Sequence, residues 1–288
     1  MINDLAILRR LAGIKEIPTL PEVMQNVLAA VASDDCSAED LAGILSTDQA
    51  LCAKVLKIAN SAFFAQRRRI FDMGDAIVLL GFDQITRIML ATAVFEVLRS
   101  LQRNTLFDLY GFWKHSIATA IAGKAIADIL GKPSDSKAIY TAGLLHDMGK
   151  LVLLAYFADL YSRVFRRLEA KELYMYEAEM AELGFTHCDI SEWLCDRWNF
   201  PQNLIRSIAG HHGSISPELV SDSGSCIIRL ADILSNRLNI GNSGNKKAFS
   251  LNQEDYLALG LGDSDIRAVE TTLQTSKDEI DLILDSIV

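Results

Sequence analysis

The sequence predicts an all-α protein. Apolar residues recur at the three- and four-residue spacing of helices along most of the chain, for example at Leu51, Val55 and Ile58. No segment shows the sustained alternation of apolar and polar residues that is typical of strands. The chain also has only five prolines, so little in it would interrupt helices. We therefore expect a multi-helix architecture without a β-sheet.

The first third of the chain contains signals for the starts of successive helices. Pro18 and Pro21 precede the apolar stripe of residues 23–31, at positions where proline does little harm. Ser37 is an expected N-cap, because acidic residues follow it in the first turn. Asp48 is the expected N-cap of the next helix.

Longer helices and one junction are predicted in the middle of the chain. A helical series covers residues 80–101 and leads into the polar stretch 100–105, which we interpret as a subdomain boundary. A long helix then begins near Phe107 and ends near Gly131. The next predicted helix carries residues 146–154 without a break.

The stretch 241–247 is rich in glycine and asparagine and is the clearest predicted loop. Amphipathic helices fill the rest of the chain. These boundaries predict three segments: an amino-terminal helical subdomain over residues 1–104, a second helical subdomain over residues 105–240, and a carboxy-terminal helical extension over residues 241–288.

Composition argues against several classes of protein. The 288 residues carry a formal net charge of -9, which is unfavourable for general nucleic-acid binding, and the run Arg67–Arg69 is typical of a solvated loop. The longest apolar stretches are too short to cross a bilayer, and the amino terminus lacks the pattern of a signal peptide. The five cysteines form no C-x-x-C pair and indicate free thiols. We expect a cytoplasmic protein that does not bind membranes.

The histidines are the most informative residues of the chain. There are only five, and scattered surface histidines would not all fall after the first 114 residues, within or beside apolar helical segments. They are His115, His146, His187, His211 and His212.

Two acidic residues accompany the histidines. Asp147 and Asp232 both lie in apolar surroundings, so both should be buried. A buried carboxylate must be protonated, paired or bound to a cation. For Asp147, Lys150 offers an ion pair, and a divalent metal shared with His146 is the alternative. The same residues could instead form a polar network of core histidines closed by the two acids.

If these residues bind metal, their chemistry indicates which one. Imidazole and carboxylate ligands suit iron, manganese or zinc better than magnesium or calcium. Five imidazoles and two carboxylates are enough for two ions that share the carboxylate of Asp147.

The ordered set of histidines and aspartates resembles that of the HD superfamily of metal-dependent phosphohydrolases. More narrowly, the chain resembles an HDOD-domain protein over about residues 15 to 240. The segments that carry this resemblance are Ile17–Val23, Leu56–Phe64, Ala76–Gly81, Ala142–Lys150 and Glu179–Pro201.

The resemblance implies an all-helical HDOD architecture with an HD-like core in its second half, and a role in bacterial signalling. HDOD modules commonly lack demonstrated catalysis, and many have lost HD ligands, whereas this chain retains all of them. It differs from the similar HD-GYP phosphodiesterases, since residues 213–217 lack the Gly-Tyr-Pro signature and Gly111 replaces a possible carboxylate ligand. These differences argue against hydrolysis of cyclic dinucleotides.

The resemblance also implies a role for each candidate residue. A first metal site would use His115, His146, Asp147 and Asp232, and a second would use His187, His211 and His212, with Asp147 bridging. Asp147 and Lys150 are the candidate catalytic residues, although Lys150 could contact a substrate phosphate or simply pair with Asp147. Glu179 and Asp189 could orient imidazoles or be solvated, and core packing is the expected role of Cys188.

Two functional hypotheses follow. One is a regulatory module that senses a metal or nucleotide in its HD-like half and binds a signalling protein partner or a small phosphorylated ligand. The other is a metal-dependent phosphohydrolase that acts on a nucleotide or another phosphoester, as a two-metal site would permit.

Overall fold

The structure is a computed structural model that describes residues 37–61, 70–99, 107–213, 223–247 and 249–287, together with a few isolated positions before residue 37. The arginine run, the predicted junction at 100–105 and residues 214–217 lie outside the described residues. So does the helix predicted around residues 23–31, except for positions 25 and 26, which are helical.

These ranges contain fifteen α-helices and no strand, so the predicted all-α class is confirmed. The helices are α1 (Ala38–Ser46), α2 (Gln49–Ala59), α3 (Met73–Leu80), α4 (Phe82–Arg99), α5 (Leu109–Ile129), α6 (Pro133–Leu145), α7 (Met148–Tyr156), α8 (Ala158–Ala170), α9 (Met175–Leu183), α10 (His187–Arg197), α11 (Gln202–Ala209), α12 (Ser223–Arg237), α13 (Gln253–Leu257), α14 (Asp263–Thr275) and α15 (Lys277–Ile287).

The predicted caps of the first two helices are present. The hydroxyl of Ser37 accepts the backbone N–H of Asp40 at 3.1 Å, and Asp40 in return accepts the backbone N–H of Ser37 at 3.0 Å. Asp48 accepts the backbone N–H of Leu51 at 3.0 Å. These bonds satisfy amides that have no partner within their own helix.

Helix α5 is the centre of the fold. It is buried along most of its length and packs against α6, α12, α14 and α15. The ring of Trp113 on α5 lies 5.5 Å from that of Phe95 on α4, which connects the amino-terminal helices to the same core. A helix that is apolar on all sides is expected at such a position.

The carboxy-terminal helix α15 packs against α2, α4 and α5. Its carboxylates bind side chains on two of these helices: Glu279 accepts from Gln84 at 2.8 Å, and Asp285 accepts from Tyr110 at 3.0 Å. The last helices therefore contact both of the preceding segments, and the proposed division into three segments remains a prediction.

One described stretch, residues 135–156, is long and apolar enough to cross a membrane, but 89% of the 18-residue window that meets this test is buried inside the fold. A second such stretch arises only if α3 and α4, which are bent by 113°, are counted as one span. Buried core helices commonly have this composition.

Candidate metal centre

His146 and Asp147 lie in a break between two helices, so the prediction of one continuous helix over residues 146–154 is wrong. Helix α6 ends at Leu145 and α7 begins at Met148. Neighbouring residues on an uninterrupted helix point about 100° apart. The break lets both side chains face the same interior region.

A side chain from another helix stabilises this break. The hydroxyl of Ser191 on α10 accepts the backbone N–H of Gly149 at 2.9 Å and donates to the carbonyl of His146 at 3.4 Å. Ser191 thus satisfies backbone groups at the interruption. This contact spans 42 residues of sequence, and helical periodicity could not have indicated it.

Two glycines let the helices of the site approach closely. A Cβ at Gly149 would lie 2.0 Å from the carbonyl oxygen of His187, which begins α10. A Cβ at Gly143 would lie 2.6 Å from the Cα of Ala120 on α5. Only glycine fits these contacts, which bring α5, α6, α7 and α10 around one point.

His115, His146 and Asp232 form the first of two ligand groups, which we call the first group. Nε2 of His115 lies 2.9 Å from Oδ1 of Asp232, and Nε2 of His146 lies 3.9 Å from the same oxygen. All three side chains are buried. Asn236, one turn after Asp232 on α12, donates to Oδ1 of Asp232 at 2.7 Å and holds that carboxylate in place.

His187, His211 and His212 form the second group. Nε2 of His187 lies 3.1 Å from Nε2 of His212, and the rings of His211 and His212 are 4.1 Å apart. His212 is half-buried, whereas the other two are buried. The ring of Tyr176 stacks on His212 at 4.5 Å.

Asp147 lies between the two groups. Its Oδ2 is 3.3 Å from Nε2 of His146, and its Oδ1 is 3.2 Å from Nε2 of His187 and 3.7 Å from Nε2 of His211. The carboxylate therefore has one oxygen toward each group, which is the arrangement a bridging ligand needs.

Three buried atoms at this point have no hydrogen-bond partner within the described part of the chain: Nε2 of His146, Oδ1 of Asp147 and Nε2 of His211. Unpaired buried polar atoms are costly, and native structures contain few of them. Here all three belong to the same cluster, where a shared cation would satisfy them.

The second nitrogen of each converging imidazole already has an acceptor. Nδ1 of His146 lies 2.7 Å from the carbonyl of Gly143, and Nδ1 of His211 lies 2.6 Å from the carbonyl of Ile208. Nδ1 of His187 lies 2.6 Å from Oε2 of Glu179. An acceptor at Nδ1 keeps the proton there, so in the neutral ring the lone pair is on Nε2, which faces Asp147.

Burial and neighbouring charges set the protonation of the site. Burial raises the pKa of Asp147, but His146 and Lys150 outweigh it and hold that pKa well below its usual range. Burial lowers the pKa of His146 below 6.5, so this ring is neutral at pH 7. The pKa of His211 is instead raised to about 10, since Cys188 and Asp147 outweigh the effect of burial.

The residues fit a divalent metal. Ligand atoms of His115, His146 and Asp232 lie within 4.8 Å of one another, and the same holds for His146, Asp147 and His211. The donors are imidazole nitrogens and carboxylate oxygens, which suit iron, manganese and zinc.

Comparison with known proteins identifies the family of the chain. Residues 17–214 match the family model of the HDOD domain. The chain belongs to the HDOD family. An uncharacterised protein of Treponema pallidum (strain Nichols) is 25% identical over 201 residues, which are 69% of this chain and 38% of that protein. The HDOD chain therefore spans well under half the length of this curated relative.

Solved structures share the fold. An HDOD domain protein of unknown function from Geobacter sulfurreducens has a TM-score of 0.82 at 23% identity, over 98% of this chain and 96% of the other. A candidate phosphohydrolase from Shewanella amazonensis SB2B has a TM-score of 0.74 at 19% identity, over 99% of both chains. A candidate signal transduction protein from Marinobacter aquaeolei VT8 has a TM-score of 0.77 at 24% identity, over 100% of this chain and 62% of the other. The predicted HDOD architecture is thereby confirmed.

The HDOD fold brings all seven predicted ligand residues together in one interior cluster. Lys150 is buried beside them, and its ammonium group donates to Oδ2 of Asp147 at 2.6 Å and to the carbonyl of Ser243 at 2.9 Å. It pairs with Asp147, as one of its two predicted roles requires. The assignment of the seven residues as metal ligands remains a prediction.

The two acids that could orient imidazoles have different roles in this HDOD protein. Glu179 binds both the ring and the backbone N–H of His187, and also accepts from Tyr161 at 2.5 Å. Asp189 accepts the backbone N–H of Thr186 at 2.9 Å, which caps the helix that begins at His187. Asp189 thus positions the start of the helix rather than a ring.

Sequence reasoning missed several contacts of the site, among them those of Cys188, Tyr176 and Ser191. Cys188, interpreted as core packing, has its Sγ 3.8 Å from Nδ1 of His211. Tyr176 and Ser191 were not singled out at all. Cys188 could have been found from its position next to His187, but no sequence signal marks the other two, because their contacts are made across the fold.

Proposed function

We propose that this HDOD protein is a regulatory protein with a metal centre between α5, α6, α7, α10 and α12. The observation that carries the proposal is the convergence of unpaired buried ligand atoms on Asp147. A polar network of core histidines would pair these atoms with one another or with backbone groups. A cation accounts for the lone pairs that remain.

The two groups supply ligands for two ions. His115, His146 and Asp232 would hold the first ion, and His187, His211 and His212 would hold the second, with Asp147 shared. Each converging imidazole is oriented by an acceptor at its other nitrogen, as is usual for metal-binding histidines. Iron, manganese or zinc best matches this donor set.

The regulatory role rests on the HDOD family and on the fold shared with a candidate signal transduction protein. Its partner would be a signalling protein or a small phosphorylated ligand that responds to the state of the metal centre. We propose a cytoplasmic location for this interaction.

Metal analysis tests the centre. The wild-type protein, purified without chelator and without a nickel column, should contain stoichiometric iron, manganese or zinc, and Asp147→Ala should contain none. Glu254→Gln, which removes one exposed carboxylate outside the site, is the matched control. Equal and substoichiometric metal in all three proteins would contradict the proposal.

A metal-dependent phosphohydrolase is the second candidate, since the ligand set is complete and the fold is shared with a candidate metal-dependent phosphohydrolase at a TM-score of 0.52. Divalent ions would supply Lewis-acid activation of water and would neutralise phosphate charge. The protein would bind and orient the phosphoester beside Asp147. Lys150 would have to leave its ion pair with Asp147 to contact the phosphate.

Turnover separates the two candidates. The metal-loaded wild type and Asp147→Ala would be assayed on phosphomonoesters, nucleotides and cyclic dinucleotides. Hydrolysis that Asp147→Ala abolishes would establish an enzyme. A metal-containing wild type without turnover on any of these substrates would leave the regulatory role as the function.

A further inference from the structure

Glu179 is a buried acid that lies behind the second group and is not one of its ligands. None of its surface is exposed, and a buried carboxylate is costly unless its oxygens accept hydrogen bonds. Oε2 accepts from Nδ1 of His187 at 2.6 Å and from the backbone N–H of the same residue at 2.8 Å. Oε1 accepts from the hydroxyl of Tyr161 at 2.5 Å. One oxygen therefore holds a predicted metal ligand, and the other is held by Tyr161.

Tyr161 is placed to act as a fixed donor. It lies on α8, one helix before Glu179 on α9, and is fully buried. Its ring packs edge-on against that of Phe165 at a distance of 5.3 Å. Burial and the charge of Glu179 raise the pKa of Tyr161 well above 10, so the hydroxyl keeps its proton at neutral pH. A hydroxyl that donates to a charged oxygen forms one of the stronger hydrogen bonds found in proteins.

His187 differs from the other two converging imidazoles in the acceptor at its second nitrogen. Nδ1 of His146 and Nδ1 of His211 each face a neutral backbone carbonyl, whereas Nδ1 of His187 faces a carboxylate. A carboxylate at this position orients a metal-binding imidazole and raises its basicity. The strength of the second group therefore depends on how firmly Glu179 is held.

We propose that Tyr161 is a positioning residue for the second metal ion. Its hydroxyl holds Oε1 of Glu179, and Glu179 thereby keeps the imidazole of His187 directed at the ion. This inference rests on the metal centre proposed above. Without the hydroxyl, Oε1 would be buried with no donor in the described part of the chain, so the carboxylate would rotate or take up a proton. Either change would weaken its contact with Nδ1 of His187.

Equilibrium dialysis of the full-length protein against zinc tests this role. Tyr161→Phe should bind the second ion roughly fivefold more weakly than wild type, because it loses a charge-assisted hydrogen bond one step behind the ligand. The first ion should bind as in wild type. Tyr140→Phe is the matched control, since the hydroxyl of this buried tyrosine has no partner within the described part of the chain. It should bind both ions like wild type.

The ring proton of His187 gives a signature that a general loss of stability would not change. In the zinc-loaded protein, labelled with ¹⁵N at histidine, the Nδ1 proton of His187 should resonate far downfield because a carboxylate accepts it. The resonance should move upfield in Tyr161→Phe and should stay in place in Tyr140→Phe.

A double variant tests whether Tyr161 acts through Glu179. Tyr161→Phe combined with Glu179→Gln removes the buried charge together with its donor, so it should fold even if the single tyrosine change does not. Two residues that act as one unit have non-additive effects. The double variant should therefore bind the second ion as Glu179→Gln alone does, within about twofold.

Three results would overturn the inference. Folded Tyr161→Phe could bind both ions as wild type does, or it could weaken both ions equally, which would indicate a general structural role. The double variant could also bind the second ion clearly more weakly than Glu179→Gln does. A wild type that binds no metal would instead refute the proposed metal centre, and this inference with it.

Discussion

The two ligand groups are built from similar side chains but are held differently. The first group lies on helices α5 and α12 and at the end of α6, and all three members are buried. The carbonyl of Gly143 holds His146, Asn236 holds Asp232, and Asp232 in turn contacts His115. In the second group, His212 is half-buried and stacks on Tyr176, and two Nε2 atoms face each other at 3.1 Å. Only the second group includes a partly exposed ligand, so we expect the first group to bind its ion more tightly than the second does.

The largest expected effect comes from Asp147→Ala, because this carboxylate has one oxygen toward each group. Both ions should be lost, as measured by elemental analysis of the purified protein. The change also leaves Lys150 buried and unpaired, which typically destabilises a protein by about 3–5 kcal/mol.

A double variant controls for that loss of stability. Asp147→Asn with Lys150→Met removes both charges together and should fold while it still lacks metal. A double variant that folds and retains two ions would show that Asp147 does not bridge them.

His146→Ala and His212→Ala test the difference between the groups directly. His146→Ala should remove the more tightly held ion, whereas His212→Ala should remove only the weaker one and leave about one ion per chain. Equilibrium dialysis against the metal measures both. Equal losses in the two variants would refute the ranking of the two groups.

Lowering the pH should weaken metal binding at the second group more steeply than at the first. Despite burial, Glu179 and Cys188 raise the pKa of His187 well above 6.5, and Cys188 and Asp147 raise that of His211 to about 10. Below these pKa values both rings carry protons that a cation must displace. The affinity of the second ion should therefore fall as pH is lowered from 8 to 6, by about tenfold per pH unit for each proton displaced.

The pKa of His146 lies below 6.5, because burial outweighs the contribution of Asp147. This ring therefore carries less of a proton for a cation to displace in that range than His187 and His211 do. Calorimetric metal titrations between pH 6 and 8 would measure how the affinity for each ion depends on pH. A first ion that depends more steeply on pH than the second would contradict this account.

Glu179→Gln should have the smallest effect. The amide keeps the size of the side chain but weakens its interaction with Nδ1 of His187, and changes of this kind typically lower metal affinity by about 10–100-fold. Only the second ion should be affected. Asp189→Asn, which alters a helix cap nearby, is the control, and an equal effect of both changes would indicate a general disturbance of α10.

The sequence was sufficient for the helical class, for the family and for the seven residues that the fold brings together, because periodicity and the order of histidines and acids are local features of the chain. It was not sufficient for the break after α6. Residues 146–154 are apolar enough to continue a helix, and the Ser191 hydroxyl that stabilises the break is supplied by α10. The unequal burial of the second group likewise depends on which helices meet, and spacing along the chain does not encode that.

The burial of Asp147 and His146 also has a kinetic consequence. With at most 1% of these residues exposed, an ion of the first group could neither enter nor leave without a local opening of the surrounding helices. Lys150 joins Asp147 to the carbonyl of Ser243 in the loop after α12, so this loop is a natural point for such an opening. Metal exchange should then be governed by the rate of that opening rather than by diffusion, and an ion acquired while the chain folds would persist for much of the lifetime of the protein.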